Sequence, residues 1–291
     1  MPDAPLHALP PELTGLLREL SPVALAFSGG LDSRFLAHVL GMLARSGEIP
    51  PGGLFHASGP HVPARESGAA GAWAGARGLP FTAVRLDPLE LSEVRGNTKE
   101  RCYHCKRLIF TRLREAAAES AGNRRFTLCD GSNASDALVF RPGLRALKEL
   151  GVRSPLAEAG LGKDDIRRLA ALTGMDDPGQ QARPCLLTRF AYGLSPTHAA
   201  LSALERTEWD IATILSGADG SPGPDFRLRL IAAGAGGDGT LPYACELQVA
   251  ARPDAAAAKS LEEAVVRQGF AKPSLVILDA VSGYYDRAQK A

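Results

Sequence analysis

The chain has 291 residues, with 33 Lys and Arg against 32 Asp and Glu, giving a formal net charge of +1. At 45% hydrophobic and 22% charged residues it can bury a core, which excludes a disordered chain. Near-neutral charge argues against a nucleic-acid binder held by phosphate contacts, and no apolar run approaches the ~20 residues of a membrane span.

The length predicts two domains. The opening stretch MPDAPLHALPPELTGLLREL lacks the basic-then-apolar order of a secretory signal, so a cytoplasmic protein is expected. VALAF (23–27) reads as a buried parallel strand that ends at a Gly-Gly turn. Phe35, Leu36, Val39, Leu40 and Leu43 then fall at helical spacing, with Gly47 at the C-terminal end. Strand 54–58, helix 64–78, strand 81–87, helix 106–120 and strand 125–133 follow, and then helix 163–174 with Asp164 and Asp165 in its first turn. This alternation predicts an α/β fold with a doubly wound, mostly parallel sheet. After Gly193 the rhythm changes to helix 196–216, strands 226–232 and 243–250, helix 254–270 and a last strand from 274. We therefore expect a first domain over 1–193 and a smaller α+β domain over 194–291.

The strongest chemical signal is Ser28-Gly29-Gly30-Leu31-Asp32-Ser33 between a strand and a helix. Glycines let the backbone approach an anion, and the helix N-terminus offers free N–H groups. Ser33 adds a hydroxyl, and Asp32 can hold a metal that bridges phosphates. No lysine follows the glycines, so this is not the kinase-type phosphate loop. A second glycine turn, Gly131-Ser132-Asn133, follows strand 125–130 and should neighbour the first, because ligands gather beyond the carboxyl ends of such strands. Helix capping would account equally well for Asn133.

Five cysteines, an odd number, favour ligand or reactive-thiol roles over disulfides in a reducing compartment. Cys102 and Cys105 form a C-x-x-C ahead of a helix, and Arg101 and Lys106 beside them favour thiolates. Cys185 lies between Arg183 and Arg189, again favouring the thiolate. Cys129 and Cys245 sit in strand-like runs and read as small buried apolar residues. His56 and His61 flank a loop and read as structural or solvated, and His104 reads as a helix-entry polar residue rather than a ligand. In the second domain Arg227 and Arg229 alternate along one strand and share a face, with Glu246 on the next strand and Glu208 on the preceding helix. That face suits a phosphate or carboxylate ligand, but the residues by themselves favour a solvated salt-bridged face.

The SGG-x-DS string resembles the PP-loop of ATP pyrophosphatases, whose fold is adenine nucleotide alpha hydrolase-like. Taken in order, FSGGLDS, RCYHCK, DGSNASD, RPGLRALKELGVRSPLAEAGL, KDDIR and PCLLTRFAYG resemble the LarE-type ATP-dependent sacrificial sulfur transferases over about residues 27–210. The resemblance implies adenylylation of pyridinium-3,5-biscarboxylic acid mononucleotide and exchange of AMP for sulfur, in nickel-pincer nucleotide biosynthesis and lactate racemase maturation. It implies ATP and Mg2+ as cofactors, bound through Ser28, Gly29, Gly30, Asp32, Ser33, Gly131 and Asn133. Two sulfur sources occur in the family. In one, a cysteine matching Cys185 gives up its own sulfur. In the other, three cysteines, here Cys102, Cys105 and Cys185, hold a [4Fe-4S] cluster carrying an extra sulfide, and the presence of the C-x-x-C favours this version. Arg141 or Lys163 would stabilise developing phosphate charge, while Arg227, Arg229, Glu208 and Glu246 would hold the substrate. Thr188 stands where the resemblance expects serine. A PP-loop tRNA thiolase and a non-catalytic cluster or nucleotide carrier are the alternatives. A homo-oligomer, a small-molecule nucleotide substrate and a sulfide donor are the expected partners, with no membrane.

Overall fold

The computed structural model describes residues 6–122, 125–138, 142–181, 183–217, 221, 223–233, 241–279 and 281. The helices in chain order are α1 (Pro11–Leu20), α2 (Leu31–Arg45), α3 (Ala64–Gly75), α4 (Ser92–Arg95), α5 (Arg101–Ala121), α6 (Pro142–Glu149), α7 (Pro155–Glu158), α8 (Lys163–Leu172), α9 (His198–Leu215) and α10 (Ala255–Arg267). The strands are β1 (Val23–Ala26), β2 (Gly53–Ser58), β3 (Phe81–Arg85), β4 (Thr127–Cys129), β5 (Phe226–Ala233), β6 (Tyr243–Val249) and β7 (Ser274–Ile277). Contacts divide the chain into two units, Met1–Pro88 with Cys102–Arg183, and Leu89–Arg101 with Pro184–Ala291.

In the first unit the sheet order is β3-β2-β1-β4, with every neighbouring pair parallel. The period of two along β1 sends Val23, Leu25 and Phe27 to one face, where they pack with α1, α2, α3 and α8. Ala24 faces the other way and packs with Phe110, Leu113 and Ala117 of α5 and Leu147 of α6. Helices therefore cover both faces, which is the expected doubly wound architecture. Phe27 closes the strand in a fixed pose, stacked on Trp73 at 5.6 Å and edge-on to Phe81 at 6.3 Å. Burial and aromatic pairing of such a ring contribute about 2–4 kcal/mol, enough to hold the loop that begins at Ser28.

The chain leaves β1 for β2 and β3 on one side and returns to place β4 on the other. The order reverses between β1 and β4, so the crevice at their carboxyl ends is the natural ligand position. Two helices start earlier than expected. α2 starts at Leu31 rather than near Phe35, so Asp32 and Ser33 belong to its first turn. α5 starts at Arg101, so the C-x-x-C lies inside the helix and not ahead of it.

The second unit holds a three-stranded sheet, order β5-β6-β7, with β5 antiparallel and β7 parallel to β6. Its buried residues include Leu201, Leu204 and Ile211 of α9, Leu228 and Leu230 of β5, and Leu261 and Val265 of α10. Among the described residues, no helix is long and apolar enough to cross a membrane.

Candidate active site

The first glycine turn is shaped by its own side chains. Gly29 has φ +80, and a Cβ there would meet the Ala70 Cβ at 3.0 Å. Ser28 Oγ and Ser33 Oγ lie 3.0 Å apart, and the Gly30 amide donates to Ser28 Oγ at 3.3 Å. Gly30 is the N-cap of α2, so the first-turn amides have no acceptor within the helix. The Gln180 side-chain amide donates to the Gly29 carbonyl at 3.2 Å and backs the loop.

The second glycine turn lies against the first. A Cβ on Gly131 would come within 2.9 Å of the Ser33 amide nitrogen, so only glycine permits this approach. Asn133 then donates from Nδ2 to Asp32 Oδ2 at 3.1 Å, while its Oδ1 accepts from the Ser135 amide at 2.9 Å. Lys163, the first residue of α8, donates from Nζ to Asp32 Oδ1 at 2.7 Å. Each Asp32 oxygen thus has one donor and keeps a lone pair for a cation. Ser28, Gly29, Gly30, Asp32, Ser33, Gly131, Asn133 and Lys163 are accordingly gathered at the crevice between β1 and β4. Arg141 lies outside the described residues.

Cys102 and Cys105 lie three residues apart on α5, a spacing that puts both thiols on one helix face. Tyr103, between them, donates to Glu149 Oε2 at 2.6 Å, and its ring lies 3.9 Å from the Arg145 guanidinium, so α6 braces this turn. Cys102 and Cys105 belong to the first unit and Cys185 to the second. Among the described residues, no three His, Cys, Asp or Glu side chains are gathered as a metal site. Cys129 and Cys245 are buried, and burial pushes each thiol up to about 12, which fits their reading as inert core residues. His56 is buried, with Nδ1 bonded to the Phe27 carbonyl at 2.8 Å and Nε2 accepting from Ser67 Oγ at 2.9 Å. Burial holds His61 down at about 4. Both histidines are structural.

In the second unit, half-buried Cys185 is the N-cap of a short 3-10 turn, Leu186–Arg189. Its carbonyl accepts from the Thr188 amide at 3.0 Å and from Thr188 Oγ1 at 2.8 Å. The turn is tied to the arginine strand, since Arg229 donates to the Thr188 carbonyl at 2.8 Å and to the Val281 carbonyl at 2.6 Å. In the ladder Arg229 pairs with Glu246 and Arg227 with Gln248, so all four share the expected face. Gln248 connects them, with Oε1 accepting from Arg229 at 3.2 Å and Nε2 donating to Glu246 Oε1 at 2.5 Å. Arg227 pairs with Asp225.

Glu208 plays a part that sequence spacing does not reveal. Arg189 clamps it with two hydrogen bonds of 2.5 and 2.8 Å, and the Leu228 amide donates to it at 3.3 Å. Burial raises the Glu208 carboxyl, but the Arg189 charge and hydrogen bonds, the Arg227 charge and the Leu228 amide outweigh it and hold it low. A carboxylate depressed in the fold stabilises fully above its unfolded value of about 4.3, and the gain fades as pH falls through the folded value. Glu208→Gln should therefore cost about 3 kcal/mol near neutral pH, because it strands a buried guanidinium. That gap should narrow in urea titrations as pH falls below the unfolded value of about 4.3, and an unchanged gap would contradict the ion pair.

No family model matches the chain. It is 31% identical over 197 residues to the pyridinium-3,5-bisthiocarboxylic acid mononucleotide synthase of Lactiplantibacillus plantarum, spanning 67% of this chain and 69% of that protein. An uncharacterized protein of Synechocystis is 32% identical over 190 residues, 65% of this chain and 68% of its own. An uncharacterized protein of Methanocaldococcus jannaschii is 31% identical over 135 residues, 46% of this chain and 52% of its own.

Proposed function

Because the chain belongs to the LarE-type family of the pyridinium-3,5-bisthiocarboxylic acid mononucleotide synthase, we propose that it is an ATP-dependent sulfur transferase of nickel-pincer nucleotide biosynthesis. The substrate is pyridinium-3,5-biscarboxylic acid mononucleotide. A carboxylate oxygen of the substrate attacks the α-phosphorus of ATP, and the α–β bridging bond breaks to release pyrophosphate. The activated acyl carbon then accepts a sulfur nucleophile, and its bond to AMP breaks to leave the thiocarboxylate. Activation is needed because a carboxylate is a poor electrophile and oxide a poor leaving group.

The observation that carries this reading is the meeting of two glycine turns around Asp32 at the β1–β4 crevice. Ser28, Gly29, Gly30, Ser33 and the first-turn amides of α2 would cradle phosphates, with Gly131 and Asn133 closing the opposite wall. Asp32 would hold Mg2+ through its remaining lone pairs, and Lys163 would offset charge on the departing pyrophosphate. Arg227 and Arg229 would hold the phosphate or the free carboxylate of the substrate, with Glu208 and Glu246 orienting them.

Cys102, Cys105 and Cys185 would ligate a [4Fe-4S] cluster, which when bound would supply an extra sulfide as the nucleophile. Two thiols on one turn of α5 suit two ligands of one centre. A second reading rests on Cys185 alone, which caps its own 3-10 turn and is half-buried rather than enclosed in the core. In it the Cys185 thiolate attacks the acyl-adenylate, AMP leaves, and loss of the cysteine Hα expels the thiocarboxylate and leaves dehydroalanine. Either way, ATP, Mg2+ and the biscarboxylate mononucleotide together should yield AMP and pyrophosphate. No release above a substrate-free control would overturn the adenylylation.

A further inference from the structure

The segment before the C-x-x-C carries a set of buried polar contacts that no step above uses. Asn97 is fully buried and has φ +47, a left-handed conformation that asparagine adopts when its side chain is bonded locally. Its Nδ2 donates to the Ala191 carbonyl at 2.7 Å and the Leu194 carbonyl at 2.8 Å, and its own carbonyl accepts from the Gly193 amide at 3.0 Å. Its Oδ1 accepts from Arg101 Nη1 at 2.5 Å. Arg101 is only 4% exposed, and the same nitrogen donates to the Leu187 carbonyl at 2.7 Å. Its guanidinium lies 5.8 Å from the centre of the Tyr192 ring.

These contacts hold the Cys185 turn in addition to the bond from Arg229. Leu187 stands two residues after Cys185, inside the 3-10 turn that Cys185 caps. Residues 191–194 stand just beyond it, and the Ala191 amide is also held by the Leu230 carbonyl at 2.9 Å. Arg101 is joined by one peptide unit to Cys102, and its side chain reaches the turn that bears Cys185.

We propose that Asn97 and Arg101 are positioning residues for Cys185, acting through the Leu187 carbonyl and the 191–194 loop without touching substrate. The proposal deepens the sulfur-transfer reading and rests on it for its catalytic meaning. Its geometric content is independent of that reading. With the bond to Leu187 lost, the turn samples more conformations and the Cys185 thiol meets solvent more often.

The test is the rate at which iodoacetamide alkylates each cysteine of the intact, metal-free chain, followed by peptide mass spectrometry. Arg101→Gln should speed alkylation of Cys185 about tenfold, the effect expected for losing one charged hydrogen bond. Cys129 and Cys245, buried in the two units, serve as internal references and should not change. Arg101→Lys keeps a donor for Leu187 and should restore most of the native rate, and Asn97→Ala should behave like Arg101→Gln. Unchanged Cys185 labelling in Arg101→Gln overturns the proposal. Equal acceleration at Cys129 and Cys245 also overturns it, since that marks general loosening. Because labelling needs neither ATP nor substrate, a chain that forms no AMP but shows the selective shift refutes the proposed function alone.

Discussion

Replacing Asp32 by alanine should lower AMP and pyrophosphate formation by about a hundredfold to a thousandfold, the usual cost of removing one preorganised electrostatic group. Stability should scarcely move. The Lys163–Asp32 pair is 21–31% exposed at its side chains, and pairs of that kind contribute about 0–1 kcal/mol. The contrast separates a site role from a structural one. Asp32→Asn preserves size and an acceptor for one of its two donors, Lys163 or Asn133, but removes the charge that a divalent cation needs. It should therefore be nearly as impaired as alanine and should bind Mg2+–ATP more weakly by calorimetry. A fully active Asp32→Asn chain would remove Asp32 from the metal role. Lys163→Met should also slow the step, but by charge compensation on the phosphates, so added Mg2+ should recover part of its rate.

Much of the first unit is legible because buried parallel strands are short apolar runs, and VALAF and LFHAS stand out from their surroundings, while the more exposed edge strand FTAVR is marked by its aromatic and β-branched residues. The glycine turns are legible for the same reason, since each interrupts such a strand just before a helix or a short 3-10 turn. The start of α5 is not, because RCYHCK has no apolar stripe and is held in the helix by Tyr103 and Glu149, 46 residues apart. Local pattern likewise cannot show that Leu89–Arg101 packs with the second unit. That grouping rests on Asn97 bonding to Ala191 and Leu194, 94 and 97 residues away. The period of two sets Arg227 and Arg229 on one face, yet their partners depend on strand register and on Thr188, 41 residues from Arg229. The resemblance makes Glu208 a substrate residue, while its clamp by Arg189 emerges only when α9 packs beside the Cys185 turn.

Cys185→Ala should abolish thiocarboxylate formation completely while leaving release of pyrophosphate intact, because in the proposed reaction adenylylation precedes the need for sulfur. The outcome is the same whether sulfur comes from a cluster sulfide or from Cys185 itself, so this variant alone does not separate the two. Cys102→Ala does. On the cluster reading it removes one of three ligands, and anaerobic reconstitution should fall from about four irons per chain to a small residue, with transfer lost in parallel. On the sacrificial reading Cys102 has no part, transfer should continue once per chain, and the mass of the peptide bearing Cys185 should drop by about 34, one hydrogen sulfide, as thiol becomes dehydroalanine. Cys129→Ala gives the control, because its thiol is buried in β4 and pushed up to about 12 by burial, so its loss should change neither iron content nor transfer. A colourless native chain that turns over once, together with a fully competent Cys102→Ala, would discard the cluster and leave a single consumed thiol as the source.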